Sequence, residues 1–256
     1  IPLRLVGSEM CIRDSRWRAP RTLIAPEQII SPKGNTACVQ KASSYGGVEG
    51  EGIVGSEDCL YLDIKAPADF KGKNYPVMLW IHGGGNTTGL KDYYDYSKLA
   101  VSKNVVVVST NYRLGALGWF THPAIQGQQS GLDKTSNFGT LDMIEALKWI
   151  KGNINSFGGD PDNVTIFGES AGGHNVYALL ASPLSDGLFH KAISQSGYTS
   201  SHSVADAINK DSSNSLIERG SWQIVQRMLD ASDSRADIRR HLKNIDAVSY
   251  THLTLP

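Results

Sequence analysis

Val164-Thr165-Ile166-Phe167-Gly168-Glu169-Ser170-Ala171-Gly172-Gly173-His174-Asn175-Val176 is the stretch on which the fold turns. Val164–Phe167 is an apolar run of the length of a short buried strand, and Ala171–Leu180 follows as a helical pattern. Between them Gly168-Glu169-Ser170-Ala171-Gly172 makes a G-x-S-x-G. The bare pattern arises readily by chance; its position between a strand and a helix is what a nucleophile elbow requires. Such a turn is too tight for bulky neighbours, hence the glycines two before and two after the serine. Ser170 is therefore the candidate nucleophile. The Ala171 N–H opens the next helix, where the backbone dipole favours a developing negative charge. The bland alternative is a glycine-rich strand–helix turn with a capping serine.

Upstream, Val77–Ile81 reads as a second strand, ending at His82-Gly83-Gly84-Gly85. Acyl transfer needs backbone donors already aimed at the oxyanion, and a glycine run lets the main chain approach with no side chain in the way. Gly84 and Gly85 join Ala171 as candidate oxyanion donors. A phosphate cradle is the weaker reading, since no Lys-Ser/Thr follows as in a P-loop. His82 reads as structural rather than as a catalytic base.

Cys59–Ile64 alternates as a strand would, Val105–Ser109 is a continuous apolar run expected to be buried on both faces, and Ala192–Gln195 is a further strand. Lys91–Lys103 is expected to be helical. Leu141, Ile144, Leu147, Trp149, Ile150 and Ile154 recur at helical spacing, so Thr140–Asn155 reads as an amphipathic helix, with a turn at GGDPDN (158–163). Ser221–Leu229 and Arg235–Leu242 are helical patterns, and residues 16–56 look loop-rich, with Pro20, Pro26 and Pro32. Strands alternating with helices predict an α/β architecture with a mostly parallel sheet flanked by helices.

The chain has 256 residues, 40% of them hydrophobic, and its Lys plus Arg count equals its Asp plus Glu count at 25. That length supports a sizeable core. Zero net charge removes a strong electrostatic case for nucleic acid or an anionic membrane surface. No apolar stretch approaches the ~20 residues that span a bilayer. No ligand cluster suggests a metal or cofactor.

In these residues the chain resembles the type B carboxylesterases, the cholinesterase-like branch of the α/β-hydrolase fold. The resemblance is carried by SEDCLYLDI (56–64), HGGGNTTG (82–89), NYRLGALGWF (111–120), the run from SNFGTLDM to FGESAGGHNV (136–176) and ISQSG (193–197), in that order. It implies a serine hydrolase of carboxylic esters working through an acyl-enzyme. Ser170 is then the nucleophile, and Gly84, Gly85 and Ala171 the oxyanion hole. Glu169 aligns with a glutamate bordering the acyl site. Cys38 and Cys59 align with the family's first disulfide, two free buried thiols being the alternative. A disulfide implies a secreted or periplasmic protein. Arg16 with Glu57, and Arg113 with Asp142, sit where the family makes internal ion pairs. The 38–59 segment holds Tyr45 and no tryptophan to take a quaternary ammonium, so a general carboxylesterase fits better than a cholinesterase.

In this fold the triad runs Ser, then Asp or Glu, then His, and the type B enzymes place the last two much further along the chain. None of His174, His190, His202, His241 and His252 falls in a segment resembling the catalytic histidine region, so acid and base go unassigned. Residues 1–15 and 247–256 resemble translated sequencing adapter, so the expectation is an incomplete, truncated α/β-hydrolase domain over 16–246. Such a chain is expected to be near-inactive by itself. The competing functional class is a non-catalytic, cholinesterase-like adhesion or binding protein. The partner expected for the esterase is a small-molecule ester.

Overall fold

The computed structural model describes residues 2–4, 16–21, 36–210, 220–229 and 233–254. Pro26, Pro32 and Cys11 lie outside them. The strands are β1 (Pro2–Arg4), β2 (Gln40–Ser43), β3 (Val48–Val54), β4 (Tyr61–Lys65), β5 (Tyr75–Ile81), β6 (Val106–Thr110), β7 (Gly159–Glu169) and β8 (Lys191–Gln195). The helices are α1 (Ser97–Lys103), α2 (Gly115–Gly118), α3 (Pro123–Gln126), α4 (Phe138–Asn153), α5 (Ala171–Ala181), α6 (Val204–Ile208), α7 (Ser221–Gln226), α8 (Arg235–Asn244) and α9 (Ala247–Thr254).

Six strands form one sheet in the order β1-β4-β6-β5-β7-β8. β1–β4 and β4–β6 are antiparallel, and β6, β5, β7 and β8 run parallel. The period-2 pattern sorts side chains onto the two faces as expected. Val77, Leu79, Ile81, Val106, Val108, Val164 and Ile166 join the larger core with α4 and α5. Trp80, Val107 and Phe167 pack on the other face with Ala100 of α1. Every residue of β6 is buried, as its unbroken apolar run suggested. The chain leaves β5 for β6 on one side and returns across β5 to β7 on the other. This reversal sets the exits of β5 and β7 side by side, the place where open α/β sheets form ligand crevices.

Several elements differ from their expected bounds. The helix expected over 91–103 begins only at Ser97. Buried Lys91 is held by Asp63, Nζ to Oδ2 2.9 Å, and its N–H donates to Asn111 Oδ1, while Asp95 caps Ser97 N. These tertiary bonds keep 91–96 out of the helix. The loop-rich segment contains a β2–β3 hairpin, whose glycines hid its alternation. GGDPDN opens β7 instead of preceding it, with Gly159 already paired to Tyr75. Helix α4 is buried well beyond one stripe, including Asp142 and Glu145. The C-terminal tail folds as α9, with Tyr250 buried against Trp17 and Phe120.

Cys38 and Cys59 form a disulfide across 21 residues of chain. Closing a loop of that size stabilises by about 3 kcal/mol in the chain-entropy model. A Cys38→Ser/Cys59→Ser chain is expected to lose about that much in urea unfolding. A midpoint unchanged from the oxidised chain would contradict it. The ion pairs expected from the resemblance are present: Arg16 on Glu57 and Arg113 on Asp142.

Candidate active site

Ser170 stands between β7 and α5 at φ 56°, ψ −120°, outside the comfortable regions for a non-glycine residue. Three contacts hold the turn. The Ser170 N–H donates to Gln195 O at the end of β8 (2.9 Å), His174 N donates to Ser170 O (3.0 Å), and Ser194 Oγ donates to Gly173 O. The packing demand on Gly172 is measurable, since a Cβ there would lie 2.1 Å from Ile81 O. Only glycine lets α5 start this close to the exit of β5. Ser170 is half-buried and Glu169 exposed, with Glu169 Oε2 beside Gly83.

The glycine loop lies directly on the elbow. A Cβ on Gly83 would sit 2.7 Å from Glu169 O and 3.3 Å from Ser170 Cβ. Gly84, Gly85 and Asn86 then follow at φ 88°, 62° and 58°. Thr87 N and Thr88 N both donate back to Gly84 O at 3.1 Å, closing the turn. Among the described residues no protein acceptor is paired with the N–H of Gly84, Gly85 or Ala171. The structure thus sets the Gly83–Gly85 loop beside Ser170 and Ala171, the residues singled out from sequence.

The loop is fastened at both ends by residues that sequence reasoning did not single out. Tyr112, at the exit of β6, donates its hydroxyl to His82 O (2.6 Å) and stacks on the His82 ring at 4.3 Å. Burial pushes the Tyr112 hydroxyl well above its ordinary pKa, so it stays a donor. Gln40 Oε1 accepts from Thr88 Oγ1 and Gly89 N, both at 2.7 Å, tying the loop's far end to the disulfide segment. No periodicity marks such residues; only NYRLG and the neighbourhood of Cys38 flagged their segments.

His82 is buried, and its Nδ1 lies 2.9 Å from Gly83 O, a carbonyl to which it donates. Burial lowers its pKa to about 4, so at neutral pH it is an uncharged part of the scaffold. A histidine lowered in the folded state favours unfolding wherever the unfolded chain takes up the proton. Its contribution is therefore intact above pH ~6.5 and lost as pH falls toward 4, by up to about 1.4 kcal/mol per pH unit. His122, buried and beside Arg235, is lowered to about 4 as well and adds to the same slope. Urea midpoints should fall between pH 6.5 and pH 5, and less steeply for His82→Gln. Equal slopes for the two chains would contradict this assignment.

No other described histidine side chain has a recorded bond to Ser170. His174 Nδ1 lies 2.7 Å from Tyr198 O, with the ring stacked on Tyr198, and His190 Nδ1 accepts from Val164 N. His202 is exposed and His241 lies on α8. The His252 side chain lies outside the described residues. Next to the glycine loop, a cleft of about 870 Å³ runs past Gly85, Asn86, Trp119, His174 and Tyr198 to His202. Its size suits a small organic ligand. Among the described residues no His, Cys, Asp and Glu side chains gather in a way that could hold a metal, and no helix is long and apolar enough to cross a membrane.

A sequence model of the carboxylesterase family matches residues 9–248. The chain belongs to the carboxylesterase family. This family member is 54% identical over 143 residues to a cocaine esterase of Homo sapiens, an alignment covering 56% of this chain and 24% of that protein. It is 52% identical over 144 residues to the para-nitrobenzyl esterase of Bacillus subtilis (strain 168), covering 56% and 28%. Among solved structures, a PNB esterase superposes with TM-score 0.80 at 34% identity, and a thermophilic PNB esterase with 0.79 at 32%. Each superposition covers 99% of this carboxylesterase-family chain and 49% of the other. The chain thus spans about half the length of its solved relatives and matches about a quarter of the curated ones. The fold is that of an α/β-hydrolase, its central sheet mostly parallel and flanked by helices.

Proposed function

We propose that this chain carries the nucleophile and oxyanion hole of a serine hydrolase of small carboxylic esters. The observation that supports it most is the strained Ser170 turn with the Gly83–Gly85 loop packed against it. In this reading the Ser170 Oγ attacks the ester carbonyl carbon. The oxygen that gains the charge is received by the N–H groups of Gly84, Gly85 and Ala171, the alcohol leaves, and water then releases the acid from the acyl-enzyme. Glu169 borders the acyl side. The orienting acid and the histidine base come from sequence outside residues 1–256, in keeping with the half-length coverage of the relatives. No cofactor or metal takes part in this scheme. The Cys38–Cys59 disulfide supports a secreted or periplasmic protein.

A fluorophosphonate probe tests the reading. The full-length protein is expected to be labelled at Ser170, and the Ser170→Ala variant to stay blank. A non-catalytic binding protein, the reading the esterase relatives do not favour, would leave both unlabelled.

A further inference from the structure

Asn86 and Asn175 are joined by a side-chain hydrogen bond, Asn175 Nδ2 to Asn86 Oδ1, at 2.9 Å across 89 residues of chain. From this contact we infer that the Asn86–Asn175 amide bridge is the element that holds the oxyanion loop in register with Ser170. The inference rests on the proposed role of Ser170 and names the residues that position its donors.

Three features carry it. First, each partner is next to a reacting group: Asn86 directly follows Gly85, and Asn175 lies on α5, the helix that Ala171 opens. The bridge therefore links the two halves of the oxyanion hole, which the sequence supplies separately. Second, Asn86 is built for the task. It adopts φ 58°, a left-handed conformation that asparagine tolerates better than most residues. Its carbonyl accepts from Gly115 N at 2.7 Å, so main chain and side chain are both committed. Third, Asn175 is buried on α5, while Tyr112 holds His82 O at the other end of the His82–Asn86 segment. A buried amide is held firmly by its bond, because losing it leaves a polar group unpaired. Donors must stand within a fraction of an ångström of the developing oxyanion to be useful, so such rigidity acts on the chemical step.

The test compares Asn86→Gly, Asn175→Ala and the double variant in the full-length protein, with p-nitrophenyl acetate as substrate. Glycine keeps the left-handed backbone at position 86 and removes only the amide. Each single variant should lower kcat on the order of ten- to a hundredfold with KM within about twofold. The double variant should be no worse than the more impaired single one, since the two side chains act as one unit. In parallel, hydrogen exchange of the Thr87 and Thr88 amides, which donate to Gly84 O, and of the Gly115 amide, which donates to Asn86 O, should quicken at least several-fold in Asn175→Ala. Wild-type kcat in either single variant, losses that simply add, a loss confined to KM, or unchanged exchange would each overturn the inference. Hydrolysis that survives Ser170→Ala overturns the functional reading instead, and the exchange measurement then still decides whether the bridge anchors the loop.

Discussion

Ser170→Ala in the full-length protein is expected to lower kcat on the order of 10⁶-fold while leaving KM and the thermal midpoint nearly unchanged. The size follows from the loss of the covalent route, because alanine offers no attacking oxygen in place of the serine hydroxyl. Some catalysis over water should remain, since Gly84, Gly85 and Ala171 still present their N–H groups. Stability should hold because the turn is fixed by main-chain bonds to Gln195 and His174 and by glycine packing, none of which uses the hydroxyl. Steady-state kinetics on a p-nitrophenyl ester and a melting curve measure both halves. A variant retaining a tenth of wild-type kcat would remove Ser170 from the mechanism. Residues 1–256 alone are expected to turn over ester only near background, because no described histidine side chain has a recorded bond to Ser170.

Asp142→Ala is expected to destabilise the fold by about 3–5 kcal/mol, a drop in midpoint on the order of 10 °C. The Asp142 side chain is fully buried and receives Arg113 Nη2 at 2.6 Å and Nε at 2.8 Å, together with the Arg113 backbone N–H at 3.0 Å. Removing the carboxylate strands a largely buried guanidinium, which costs more than the pair itself contributes. Arg113 follows Tyr112, the residue that holds His82 O, so the pair bolts the β6 exit to α4 just behind the glycine loop. Asp142→Asn should fall between wild type and alanine, since it can still accept a hydrogen bond. Urea unfolding gives the number, and a loss below about 1 kcal/mol would show that the site relaxes around the missing charge.

The parts of the site that could be read from sequence are those governed by short-range sterics. The strand-to-helix passage through Gly168–Gly172, the strand running into His82-Gly83-Gly84-Gly85 and the buried β6 are marked by apolar period and by glycines that a close approach or a left-handed turn requires. Each of these features is written within a dozen consecutive residues of chain. Motif order then pointed to the family, and with it to the Cys38–Cys59 bridge and the two ion pairs, none of which composition or spacing alone could pair. Where propensity misled, a distant partner was the reason. The expected helix starts at Lys91, yet Lys91 is drawn to Asp63 on β4. The GGDPDN segment carries turn residues, yet Gly159 pairs with Tyr75.

By itself, then, the sequence determined the α/β class, the elbow with Ser170 and the glycine loop, because chain sterics and hydrophobic period are local properties. Only the tertiary structure decided that the loop lies on the serine, that Tyr112 and Gln40 fasten its ends and that Asn175 reaches Asn86. Which donor meets which acceptor across 89 residues is set by the order of strands in the sheet, and neither residue's own neighbours encode it.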